Sequence, residues 1–151
     1  MTDAATPEEL ATVARLVDVW LEQQLEANPI VAGVECDHSG DRVWFVRLRG
    51  EQKPNFAVWF RLRQRTLHFE TYFTPAPERN QQMFYEHLLR RNLKMYGAAF
   101  AIGEEDAVFL LGRLPVSQVD EAELDRVLGS LYAYVEQYFR PALRIGFRSP
   151  P

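Results

Sequence analysis

The side chains best able to do chemistry in this chain are His38, His68, His87, Cys36 and the acidic run Glu104-Glu105-Asp106. Metal ligation needs several convergent donors. The three histidines fall in what read as a turn, a strand and a helix, with no ligand spacing. Glu86-His87 lacks the second histidine, four residues on, of a metalloprotease helix. A nucleophilic Cys36 would need an activating base, and none is visible, so it reads as a small, partly buried apolar residue. The carboxylate run has no partner to divide acid and base roles with, and reads as a solvated hairpin tip. Gly97, Gly103 and Gly112 stand singly at the ends of elements, where glycine serves turns or close backbone approach, not grouped as a phosphate loop. Gly129 falls inside a helix, explained by tight packing on a sheet or, more sharply, by a helix contact across a dimer. These residues predict a protein that is not an enzyme and needs no metal or cofactor.

Residues 42–65 suggest binding instead. Arg42, Arg47, Arg49, Lys53, Arg61, Arg63 and Arg65 stand there against Glu51 alone, with Trp44, Phe45 and Trp59 between them. Basic residues and aromatics on a sheet can hold RNA or single strands by phosphate contact and stacking. The net charge of −4 and the lack of the glycine-rich aromatic motif of an RNA-recognition sheet weigh against that reading. A nucleic-acid-binding regulator is therefore the alternative, and a protein interface is preferred once the elements are placed.

Those elements follow from spacing and punctuation. Thr6-Pro7-Glu8-Glu9 is a capping box with proline in the first turn, and it opens a helix that Asn28-Pro29 ends. Residues 30–36 read as a short strand or an extended lead-in, followed by a polar turn at 37–41. Strands follow at 43–49, 55–63 and 66–73, the last two joined at Gln64-Arg65. That turn pairs Leu62 with Leu67, Phe60 with Phe69, Val58 with Thr71 and Phe56 with Phe73 on one apolar face. A second helix spans 78–91, with Phe84, Tyr85, Leu88 and Leu89 on its apolar side and Asn92 as a left-handed stop. Strands at 98–102 and 107–114 flank the acidic turn. A third helix runs over 120–139, Pro141 stops it, and 143–147 is an apolar tail able to dock. Short connections predict an antiparallel sheet. The expected fold is α+β: two layers, five strands, three helices, in the order α-βββ-α-ββ-α.

At 151 residues and 47% apolar, one domain with a true core is expected, the core spanning about 7–147. No apolar run approaches the ~18 residues of a membrane span. The N-terminal residues lack the basic and apolar regions of a signal peptide, and a lone cysteine allows no intrachain disulfide, so the cytoplasm is the expected compartment.

Several short motifs together resemble the YbjN family: Arg65-Thr66-Leu67, Leu88-Leu89-Arg90-Arg91-Asn92, Tyr96-Gly97, Phe100-Ala101-Ile102, Gly112-Arg113-Leu114-Pro115, Leu128-Gly129 and 141–147. The resemblance runs over about 43–147. It implies the fold of class I type III secretion chaperones, small dimers that bind extended client segments. It carries the label of a sensory transduction regulator, which names no chemistry, and it transfers no catalytic residue.

Phasing the first strand with Trp44, Val46 and Leu48 toward the helices turns Phe45 and Arg47 to the opposite face. There they join Trp59, Arg61, His68, Glu70 and Tyr72. Contiguous aromatics with an arginine rim have the composition of a protein interface. The expectation is a chaperone-like, protein-binding module that uses this face for a client or for a homodimer. The competing expectation is that the first helix or the tail folds over the face and makes it core.

Overall fold

The computed structural model describes residues 4–148. It begins with α1 (Pro7–Ala27), where the Thr6 hydroxyl accepts from the Glu9 amide and the Glu9 carboxylate accepts from the Thr6 amide. The remaining strands and α-helices are β1 (Val31–Asp37), β2 (Arg42–Arg49), β3 (Asn55–Leu62), β4 (Thr66–Thr74), α2 (Gln81–Asn92), β5 (Ala99–Ile102), β6 (Val108–Pro115) and α3 (Glu121–Gly146), with single 3-10 turns at Glu104–Asp106 and Val116–Gln118. All strand pairs are antiparallel, in the order β1-β2-β3-β4-β6-β5.

The α+β architecture with three helices is as expected, but the sheet has six strands, not five. The segment left open as strand or lead-in is β1. Asp37 shapes the hairpin to β2 by accepting from the Ser39 amide and hydroxyl at 3.0 and 2.7 Å, a side-chain turn. The β3–β4 register is as expected: Leu62 pairs with Leu67, Phe60 with Phe69 and Val58 with Thr71, and the Arg63 amide bonds Thr66 across Gln64-Arg65.

Every helix packs on the same face of the sheet. Trp44, Val46, Leu48, Val58, Phe60, Leu67, Phe69 and Phe73 point into that layer and are buried. Two tryptophans tie the layers together. Trp20 of α1 meets Phe60 edge-on at 5.9 Å and donates its indole N–H to Asp125 of α3 at 2.8 Å. Trp44 donates to Asp18 of α1 at 2.7 Å. Each ring buries its apolar body and keeps its one polar atom satisfied at the rim. Thr71 is tolerated in the core because its hydroxyl donates to the Ala57 carbonyl at 2.7 Å.

Four local expectations are corrected. Pro141 does not stop the third helix, which continues to Gly146. Proline removes one N–H, but the carbonyl deprived of it belongs to Gln137, an exposed position, while Ala142, Leu143 and Phe147 are buried beyond the ring. The second helix starts at Gln81 rather than 78, because the preceding residues cap α3. The Glu78 and Arg79 amides bond the Gly146 carbonyl, and the Asn80 amide group bonds that of Ile145. Asn92 is not a left-handed stop. Its side chain accepts from the Phe100 N–H at 2.8 Å and donates to the Phe100 carbonyl at 3.3 Å, so it occupies the outer edge of β5. In the loop that follows α2 the left-handed residue is Gly97, at φ 76°, whose carbonyl lies where a Cβ on Gly112 would be. Finally, Gly129 is exposed, with open space where its Cβ would lie, so packing on the sheet does not explain it.

The β2–β3 connection is fastened to α3. The Glu136 carboxylate accepts from the amides of Glu51, Gln52 and Lys53. The Lys53 ammonium donates to the carbonyls of Tyr72 and Phe73 at 2.7 and 2.9 Å and lies over the Tyr72 and Phe139 rings. Desolvation brings Lys53 down to about 8 from an ordinary 10.5. Between those values the unfolded chain holds the proton that the folded chain has released, so stability gains from this group as pH rises from about 8 toward 10.5. Denaturant titrations of the native protein and Lys53→Met should therefore differ in pH slope over that window. Parallel pH profiles would contradict the burial of this ammonium.

Candidate binding groove

The other face of the sheet carries the candidate site. Strand alternation sends every second residue of β2, β3, β4 and β6 to that face, and pairing aligns them in rows. One row is Val43, Arg61, His68 and Arg113. The next is Phe45, Trp59, Glu70 and Leu111. A third contains Arg47 on β2 and the pair Tyr72–Phe109 on β4 and β6. A concavity of about 510 Å³ lies over the first two rows and ends at Phe109 and Glu104.

Phe45 and Trp59 meet edge-to-face with centroids 6.0 Å apart. His68 Nε2 and Glu70 Oε1 are 3.0 Å apart, both partly shielded. Tyr72 meets Phe109 edge-on at 5.7 Å. Gly103 and Glu104 of the acidic tip line this end of the groove. Desolvation, then the charge of Glu105, raises the Tyr72 phenol above its ordinary value. Arg47 is 3.9 Å from Glu35 of β1, both well exposed.

Of the seven residues expected on this face, Phe45, Trp59, Arg61, His68 and Glu70 line one cavity. Arg47 and Tyr72 are on the same face but in the neighbouring row, outside the lining. Trp59 is half-buried, against 1% exposure for Trp20 and Trp44. Neither α1 nor the expected tail at 143–147 folds over the face: α1 lies on the opposite layer, and α3 extends to Gly146 with Phe147 as its cap. Phe109, Leu111, Arg113 and Glu104 were missed, because no signal in the sequence set β6 beside β4. Their alternation with the inward Leu110, Gly112 and Leu114 was available as a clue to face.

The basic stretch does not act as one surface. Arg49 donates to the carbonyls of Pro29 and Val31, and Lys53 is fixed as described. Cys36 is exposed, not partly buried. His38 stacks edge-on against Trp44, while His87 is on α2, so the histidines stay apart. Among the described residues, no group of three or more His, Cys, Asp or Glu side chains is placed to share a metal ion.

A second exposed surface gathers on α2, β5 and the loop between them. Phe84 and Leu88 are buried, but Leu89 is 65% exposed, Leu93 90% and Tyr96 71%. A hollow of about 200 Å³ lies between Tyr85, Leu89, Phe100 and Ile102. Among the described residues, no helix is long and apolar enough to cross a membrane.

Residues 8–144 match the family model YbjN, described as "Putative bacterial sensory transduction regulator". Uncharacterised proteins of Mycobacterium tuberculosis and Mycobacterium bovis are each 34% identical over 104 residues, covering 69% of this chain and 57% of theirs. A Mycobacterium leprae relative, also uncharacterised, is 31% identical over the same length. The chain thus spans little more than half the length of these curated relatives.

Proposed function

This chain belongs to the YbjN family, and from that premise we propose that it is a non-enzymatic protein-binding module that holds a segment of a client protein in the sheet groove. The observation that carries this reading is the uncovered row of Phe45, Trp59 and Leu111 beside charged neighbours, on a face that, among the described residues, no helix protects. Half-exposed aromatics flanked by arginine are what a protein partner uses as anchors. The secretion-chaperone fold that the family resemblance implies suggests a role as chaperone or regulatory adaptor, with the cytoplasm as the proposed compartment. A photo-crosslinking amino acid at Phe45 should give discrete protein adducts in the native cell, which Trp59→Ala removes. The same label at Val19, exposed on α1, should not give them. Identical adducts from both positions would contradict the reading.

The homodimer is proposed through α2 and β5 rather than through the sheet face, which leaves the groove free. Leu89, Leu93 and Tyr96 are more exposed than the apolar residues of the groove, and a two-fold pairing is the commonest way to cover such side chains. Asn92 already occupies the edge of β5, so side chains rather than strand addition would make the contact. Light scattering should give twice 17.5 kDa, and Leu89→Glu should return it to the mass of one chain. A mass of 17.5 kDa that does not change on concentrating would end the proposal.

A further inference from the structure

The groove has a basic end, and we propose that this end is a carboxylate-binding site, so that the client segment carries acidic residues next to a large apolar one. The inference rests on the groove being a protein-binding site. Arg61 and Arg113 flank His68 directly across β3, β4 and β6, and Arg63 follows two residues after Arg61. These side chains border a hollow of about 370 Å³. Among the described residues, Arg61, Arg63 and Arg113 have no acidic partner within ion-pair distance, and the one carboxylate in the hollow, Glu70, is turned to His68 at 3.0 Å. All three arginines are exposed, which leaves their donors open to a ligand. A guanidinium offers a carboxylate a paired-donor geometry.

Spacing and charge select the kind of anion. Adjacent strands are about 4.8 Å apart, so Arg61 and Arg113 are about 10 Å apart across the sheet, a span that two neighbouring carboxylates of an extended chain can bridge. The next row, about 7 Å along the strands, brings Trp59 under whatever follows. Beyond Phe109 the groove ends at Glu104, which repels negative charge. A polyanion running the whole groove would meet Glu104 as well as Glu70. A protein segment with acidic residues only at the basic end and an apolar residue in the middle avoids Glu104, and Glu70 is engaged by His68.

A displayed library of random decapeptides, selected on the purified protein, tests this. Enriched peptides should place acidic residues beside an aromatic or leucine. Arg61→Gln/Arg113→Gln should weaken them about tenfold or more, with a reduced salt dependence and an unchanged unfolding midpoint. Peptides that depend on Trp59 but carry no acidic bias and ignore the double substitution would overturn the carboxylate site while leaving the groove as a binding site. Peptides indifferent to Trp59 would overturn both. Preferential binding of a thymidine oligonucleotide, lost in the double variant, would assign the basic end to nucleic acid and overturn the proposal.

Discussion

Phe60→Ala should destabilise the protein by about 3–5 kcal/mol, the usual cost of truncating a buried aromatic. Phe60 is fully buried, with Trp20 edge-on at 5.9 Å on one side and Phe69 at 6.5 Å on the other, so the cavity would open where the two layers meet. Trp59→Ala, one residue away and on the opposite face, should cost about 1 kcal/mol or less, since it loses mainly its cross-strand contact with Phe45. Urea unfolding separates the two through the midpoint at constant slope. Equal losses would mean that the two faces of β3 are equally enclosed, contrary to the layer arrangement.

Binding should reverse that order. Trp59→Ala should weaken association with a groove-selected segment by about 2 kcal/mol or more, the scale of an interface anchor. Titration calorimetry with a peptide enriched on the native protein gives the number. Tyr72→Ala should do less, because Tyr72 rests on Phe109 in the neighbouring row and the cavity itself lies over Trp59. Arg47→Ala should do least, since an exposed pair such as Arg47–Glu35 contributes ~0–1 kcal/mol. A Trp59→Ala protein that binds at full strength would remove the groove from the account even if the fold were right.

The sheet faces were legible because strand alternation is strict: Val58 and Phe60 cannot turn inward without sending Trp59 and Arg61 outward. The β3–β4 register was legible for the same reason, with few residues to place between Leu62 and Leu67. Pairing between distant segments was not. Nothing in residues 107–114 says that they lie against β4, and so Phe109, Leu111 and Arg113 were left out of the site. The errors at helix ends share one cause. Pro141, Asn92 and the 78–80 segment carry local signals for stopping or starting, and tertiary contacts override each one. Burial beyond Pro141 keeps α3 going, Asn92 serves β5, and residues 78–80 cap α3.

The most direct test uses the three tryptophans as reporters of the two faces. With fluorotryptophan incorporated, a soluble paramagnetic probe should broaden the Trp59 fluorine resonance and spare Trp20 and Trp44, which are 1% exposed. Adding a groove-selected peptide should shift the Trp59 signal and protect it from the probe, leaving the other two unmoved. If Trp59 is already protected in the free protein, or stays exposed while the peptide is bound, the open face of the sheet is not the binding site.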